Sequence, residues 1–259
     1  MKVSLITVSY NSANTIADTL RSVQQQTYKD IEYIVVDGNS SDGTIEIVKQ
    51  FLNAEQGRSE GAEQGVVTTF LCERDKGIYD AMNKGLALAT GDIIGVLNSD
   101  DFYCSNDVIE EVVRTFQVNN TDCLYGDLNY VDPVDTSKVI RKWRSGPFRK
   151  ENFLKGWMPP HPTFFVRKNC YEKFGTFDKQ FKSAADYELM LRFLYKESCS
   201  ALHLPKVMIH MRAGGVSNVS LKNRIRANRE DRLAWKINGL KPKWFTLLRK
   251  PLSKLIQYF

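Results

Sequence analysis

Three apolar runs in the first hundred residues each end in a polar loop, and a helical pattern follows each loop. Residues 3–8 run into Ser9-Tyr10-Asn11-Ser12, and residues 31–36 into Asp37-Gly38-Asn39-Ser40-Ser41-Asp42-Gly43-Thr44. Residues 93–97 run into Asn98-Ser99-Asp100-Asp101. Runs of this length and composition read as buried strands, and their alternation with helices builds a mostly parallel, helix-flanked sheet. Ligands of such sheets collect outside the carboxyl ends of the strands. Asp100 and Asp101 fall there together. Two neighbouring carboxylates repel and lose hydration, which a hard divalent cation bridging to phosphate can offset. The same residues also make a good turn, and Asp101 is placed to cap the next helix.

The pattern continues along the chain. A polar loop at 56–65 precedes a strand at 66–72, and a further helix is expected near Asn106. Residues 123–130 start a hairpin that turns at Asp132-Pro133 and returns through 139–143. Pro159-Pro160-His161-Pro162 forbids regular helix and leads into a strand at 163–166. A helix then opens at Ser183-Ala184-Ala185-Asp186, where Ser183 and Asp186 have the spacing of a capping box.

With 259 residues and 42% hydrophobic content the chain can bury a full core. Five scattered cysteines without C-x-x-C spacing argue against a disulfide framework or structural zinc, and for a reducing compartment. No apolar run has transmembrane length, and Met1-Lys2 leads directly into a strand, so a cytoplasmic or membrane-peripheral protein is expected. The net charge of +6 is uneven. From Leu221 onward eleven Lys or Arg face only Glu230 and Asp231, so this tail carries +9 and the rest about −3. Nothing in the first 220 residues suggests nucleic-acid binding. Apolar and aromatic residues interleave the tail's charges, as in helices that lie on anionic membranes. A helical cap on the body or a homodimer contact is the alternative.

Val3-Ser4-Leu5-Ile6-Thr7-Val8-Ser9-Tyr10-Asn11, Val36-Asp37-Gly38-Asn39-Ser40-Ser41-Asp42-Gly43-Thr44, Lys76-Gly77-Ile78-Tyr79-Asp80-Ala81-Met82-Asn83-Lys84-Gly85 and Gly91-Asp92 leading to Asn98-Ser99-Asp100-Asp101 occur in that order. Together they resemble the family 2 glycosyltransferases, especially the bacterial surface-polysaccharide branch. The resemblance implies a GT-A fold over 1–219, with a nucleotide-sugar half at 1–130 and a mixed acceptor half at 131–219, followed by the basic helical tail at 220–259. It implies inverting transfer from a nucleotide sugar, UDP favoured, with Mn2+ or Mg2+, to a saccharide acceptor that suits a polyprenyl carrier.

Residue by residue, the resemblance makes Asp100 a metal ligand and places Asn98 where the family's Asp-x-Asp motif begins. It assigns Val8, Tyr10, Asp37, Arg74, Asp75 and Ser99 to the donor. Gly38 stands where many relatives carry a second acid. Asp186, with Arg192 six residues on, matches the family's catalytic base. Trp157 and His161 fall to the acceptor side, and His210 to the metal shell. Two other readings stay open: a sugar nucleotidyltransferase, and a saccharide-binding scaffold that lost catalysis through Asn98. Against the first, Ser9-Tyr10-Asn11-Ser12 lacks the glycines and basic groups that suit a triphosphate.

Overall fold

The computed structural model describes residues 1–52, 66–214, 221–243 and 246, with the backbone alone at 221–225. The polar loop expected at 56–65 and the tail beyond Thr246 lie outside them. Strands β1 (Val3–Ser9), β2 (Ile31–Asp37), β3 (Thr69–Cys72) and β4 (Ile93–Val96) form a parallel block in the order β3-β2-β1-β4. Helices α1 (Ile16–Gln24), α2 (Thr44–Gln50) and α3 (Ile78–Leu88) lie between them in the chain. Alternate strand residues serve opposite faces. Ile6, Val8, Ile34 and Val36 pack in one core with Tyr79, Met82 and Leu86 of α3, while Leu5, Tyr33 and Val35 pack in a second with Ile16, Leu20 and Val23 of α1. Burial on both faces is why these strands read as unbroken apolar runs.

Beyond β4 the sheet becomes mixed. The later elements are β5 (Asp101–Tyr103), α4 (Val108–Val118), β6 (Cys123–Val131), β7 (Val139–Trp143), β8 (Phe165–Arg167), α5 (Lys168–Phe174), α6 (Ala185–Met190), β9 (Ala201–Arg212) and α7 (Leu221–Ile237). One continuous sheet results, in the order β3-β2-β1-β4-β8-β6-β9-β5, with β7 paired to β6. Strand β8 is antiparallel to both β4 and β6, β9 runs parallel to β6, and β5 lies antiparallel on β9. The Asp101 end of β5 thereby meets the Met211 end of β9.

Several local expectations need correction. The strand expected at 66–72 starts at Thr69, because Val67 makes only a single bridge with Leu52. Residues 161–163 form a 3-10 turn, closed by the Phe164 N–H on the His161 carbonyl at 3.0 Å, so the following strand starts at Phe165. Asp101 caps no helix. It opens β5, and α4 begins only at Val108, after Asp107. The capping box is also absent: the helix cap is Ala184, and the Ser183 hydroxyl donates to Glu230 Oε2 at 3.0 Å instead.

That last contact belongs to the docking of α7. The Glu230 carboxylate accepts the Ser183 N–H at 2.8 Å, the buried Trp235 indole N–H donates to the Tyr187 hydroxyl at 2.8 Å, and Asn238 Nδ2 donates to Glu188 Oε1 at 3.0 Å. This part of the basic tail is therefore packed on α6. Its outward side still carries exposed Arg226, Arg229, Arg232 and Lys236.

At the opposite end of the strands, Glu32 ties three segments together. It accepts from Ser4 Oγ, Lys2 Nζ, Thr90 Oγ1 and the Thr90 N–H at 2.5–2.9 Å. Burial pushes its carboxyl up, but these donors outweigh burial and pull it down to about 2. A depressed folded value contributes stability above the unfolded value near 4.5, lost as pH falls towards 2. After allowance for partial exposure, Glu32→Gln should cost about 1–2 kcal/mol at pH 7. The two proteins should converge in urea melts as pH falls from 4.5 to 2. Equal midpoints at pH 7 would refute the assignment.

Candidate active site

Strand register brings three carboxyl ends level, since Ser9 pairs with Asp37 and Asp37 with Cys72. Asp37 is wholly buried. Its carboxylate accepts from Ser9 Oγ and Ser40 Oγ at 2.7 Å each and from the Ser40 N–H at 2.7 Å, occupying three of about four lone-pair directions. It thus holds the loops after β1 and β2 against each other. The same pairing continues outward, with the Asn11 N–H on Ser40 Oγ at 2.8 Å and the Ser41 N–H on Asn11 Oδ1 at 3.0 Å. Both Asn11 and Asn39 take left-handed backbone, with φ of 49° and 66°. Asparagine accepts that conformation more readily than most residues.

Tyr10 stands exposed above this floor. Val8 does not: its side chain is packed in the core with Val36 and Tyr79, so only its main chain can meet a ligand. Beside Tyr10 the space over Gly38 is taken by Asp75. A Cβ at position 38 would lie 2.6 Å from Asp75 Oδ2 and 3.2 Å from the Tyr10 ring. A side chain at this position would have to displace the Asp75 carboxylate, which reaches the same spot from another loop. Asp75 Oδ1 accepts the Gly77 N–H at 2.8 Å. Lys84 fixes the loop from below, donating to the Arg74 carbonyl at 2.8 Å and pairing with Glu73 at 2.8 Å. The Arg74 side chain is exposed.

The acidic loop joins this cluster through Ser99, whose hydroxyl lies 2.9 Å from that of Ser12. Asn98 Nδ2 donates to Asp101 Oδ2 at 3.0 Å. Asp101 Oδ1, fully buried, has no hydrogen-bond partner among the described residues. Burial, and then the neighbouring charge of Asp100, push the Asp101 carboxyl well above the usual range. Burial raises the half-buried Asp100 as well, against the opposing charge of Arg212. Arg212, at the end of β9, donates to the Asp100 carbonyl at 2.8 Å and pairs with Asp18.

An unsatisfied buried carboxylate oxygen beside a half-buried acid fits a hard divalent cation. No group of three or more His, Cys, Asp or Glu able to hold a metal forms among the described residues. His210 is accordingly not gathered with the two acids. It lies across from Phe102 on β5, edge-on to that ring at 5.4 Å, and burial lowers its pKa.

Further along the chain, Asp186 sits in the first turn of α6 and accepts from the Tyr79 hydroxyl at 3.2 Å. Tyr79 belongs to the first turn of α3, directly after the Arg74–Gly77 loop, so this bond spans the two halves of the molecule. Burial and the Asp186 charge both push the Tyr79 hydroxyl up, which keeps it protonated and donating. Phe177 stacks on Tyr79 at 5.8 Å and meets the His161 ring edge-on at 5.8 Å. Burial pushes His161 down, opposed by the charge of Asp186. Trp157 meets aromatic neighbours, Tyr125, Phe148 and Phe153, and donates from its indole to the Ser145 carbonyl at 3.2 Å. Arg192 pairs with Glu188 and caps the carbonyls of Gly175 and Thr176, framing α6.

Tyr79 falls inside the Lys76–Gly85 motif, where nothing local marks it as a partner of Asp186. Arg212 and the Asp127–His203 pair, 2.9 Å apart and stacked beside Tyr125, carry no sequence signal, because long-range strand pairing alone assembles them.

Solved structures share this sheet. The S. aureus TarS fragment 1–349 in complex with UDP-GlcNAc aligns with a TM-score of 0.68 at 19% identity, over 92% of this chain and 65% of that one. The mannosyltransferase PcManGT from Pyrobaculum calidifontis, in complex with GDP-Man and Mn2+, aligns at 0.65 and 19%, over 99% and 69%. Likeness at that identity is one of fold, and the fold is that of the GT-A glycosyltransferases. The sequence carries the relation further. A family model described as Glycosyl transferase family 2 matches residues 4–175. An uncharacterised glycosyltransferase of Mycobacterium tuberculosis is 31% identical over 195 residues, 73% of this chain and 68% of that protein. A PGL/p-HBAD biosynthesis glycosyltransferase of Mycobacterium bovis is 26% identical over 217 residues, 83% and 78% of the two chains. The chain belongs to glycosyl transferase family 2.

Proposed function

We propose that this glycosyltransferase moves a sugar, with inversion, from a nucleotide diphosphate sugar to a hydroxyl of a saccharide acceptor, with Asp186 as the base. The observation that carries the reading is the hydrogen bond from Tyr79 to Asp186. It fixes a carboxylate at a helix N-terminus against the helix that follows the donor loop. In this scheme the acceptor oxygen bonds to the anomeric carbon from the face opposite the diphosphate. Its proton passes to Asp186, and the carbon–oxygen bond to the diphosphate breaks. Tyr79 holds the carboxylate in line, and neutral His161 shapes the acceptor side. Tyr10, Asp75 and the loops pinned by Asp37 hold the nucleoside. UDP is the favoured nucleotide, as TarS binds UDP-GlcNAc, although the GDP-Man complex keeps guanine in view.

Asp100, with Asp101 beside it, would hold Mn2+ or Mg2+. The cation, when bound, supplies positive charge against the departing diphosphate. The PcManGT complex with Mn2+ supports that choice. Purified protein supplied with a panel of nucleotide sugars and Mn2+ should release one nucleoside diphosphate, and NMR of the product should show an inverted anomeric centre. Retention of configuration, or formation of a nucleotide sugar from a triphosphate and a sugar phosphate, would overturn the reading.

The exposed basic side chains of α7 support an acceptor on a lipid carrier, with the protein resting on the inner face of the cell membrane. Each basic group near an anionic surface adds about 1 kcal/mol. Full-length protein should co-sediment with vesicles rich in phosphatidylglycerol, less so as salt rises, and not with neutral vesicles. Equal, negligible binding to both would leave α7 a purely structural cap.

A further inference from the structure

The transfer chemistry leaves three clustered thiols unused, and we propose that two of them, Cys199 and Cys170, form a reversible disulfide when a hydroperoxide enters the cavity beside them. The three cysteines come from distant parts of the sequence. Cys123 opens β6, Cys170 lies on α5, and Cys199 precedes β9. Strand pairing brings them together. The Cys123 N–H donates to the Ser200 carbonyl at 2.9 Å, and Cys123 pairs with Val166 on β8, the strand that leads into α5. All three are free thiols, and each shifts the protonation of the other two.

Access distinguishes them. A surface cavity of about 190 Å3 is lined by Asp122, Cys170, Lys173, Glu197 and Cys199; both cysteines are largely buried in its wall, and Cys123, fully buried, does not line it. Protonation distinguishes them too. Hydrogen bonds from Cys123 and then Cys170 draw the Cys199 thiol down into the thiolate range, while burial holds Cys123 well up. A thiolate beside protonated thiols is the arrangement of a nucleophile with a resolving partner.

The chemistry balances. The Cys199 thiolate attacks the terminal oxygen of the hydroperoxide, an S–O bond forms, the O–O bond breaks, and the alkoxide or hydroxide leaves. That anion takes the Cys170 proton. The resulting Cys170 thiolate attacks the Cys199 sulfenic sulfur and expels hydroxide, which takes up the proton that Cys199 released to solvent on ionising. Two thiols and one hydroperoxide give one disulfide, one alcohol or water, and one further water. The ring so closed contains α6.

Mass mapping of the full-length protein tests this. After a short exposure to equimolar hydrogen peroxide and alkylation of remaining thiols, a Cys170–Cys199 peptide pair should appear and dithiothreitol should remove it. Cys72, exposed and with its thiol raised by burial and the Asp37 charge, serves as the internal reference. Cys199 should be oxidised at least tenfold faster, and still react at pH 6. In Cys170→Ser, dimedone should trap a sulfenic acid at Cys199. Preferential oxidation of Cys72, a Cys123–Cys199 bridge, or unchanged cross-linking in Cys170→Ser would each overturn the assignment. The wild-type map decides even where a variant fails to fold.

Discussion

Replacing Asp186 with Asn should lower transfer by about a thousandfold while leaving donor affinity within a factor of about two. A positioned general base typically contributes 10²–10⁴ in rate, and the donor side of the site does not include Asp186. The fold should survive. The α6 cap is Ala184, and the turn before it is held by Glu230, so asparagine removes neither. Tyr79→Phe separates positioning from proton transfer. It removes one hydrogen bond to the carboxylate and should cost about tenfold in kcat, with the acceptor KM nearly unchanged. The measurements are steady-state transfer and donor titration by calorimetry. A folded Asp186→Asn protein with undiminished transfer would move the base elsewhere.

Asp100→Asn should lower transfer by on the order of 100-fold or more and abolish the cation-dependent part of donor binding. Asparagine keeps an oxygen but not the charge, and electrostatic stabilisation of a leaving group is a major source of rate acceleration in such reactions. The variant separates two roles, because the loop is held through main-chain and neighbouring groups. Arg212 binds the Asp100 carbonyl, Ser12 binds Ser99, and Asn98 binds Asp101. The melting temperature of the ligand-free protein should rise or stay level, since one of two crowded acids has been neutralised. Donor titrations with Mn2+ and with EDTA should then coincide for the variant and differ for the parent. Full parental activity in excess EDTA would eliminate the cation from the scheme.

The parallel block was legible because its residues are buried on both faces, so β1, β2 and β4 read as unbroken apolar runs with turn chemistry at their ends. The mixed half was legible only in pieces. The hairpin of β6 and β7 carries its own turn signal, but the insertion of β8 between β4 and β6 depends on contacts far apart in sequence. Asp101 misled for a related reason. Its place after Asn98-Ser99 is good loop chemistry, and only the pairing of β5 with β9 converts it into a buried strand residue. Ser183 misled because Glu230, nearly fifty residues on, competes for its hydroxyl. Among the candidate site residues, Asp37 and Asp100 stood out as acids at strand ends, and Asp186 through its match to the family's base position. Tyr79, a tyrosine on an apolar helix face, is indistinguishable from a core residue until its hydroxyl is seen to meet Asp186.

Asp37 has a consequence for motion. By binding Ser9 and Ser40 at once it makes one cooperative unit of two loops that would otherwise fluctuate separately. Their amides should therefore exchange at a common rate in hydrogen-exchange measurements. The ordering cost of that floor is met during folding rather than at each encounter with a donor, so binding there draws little on chain entropy.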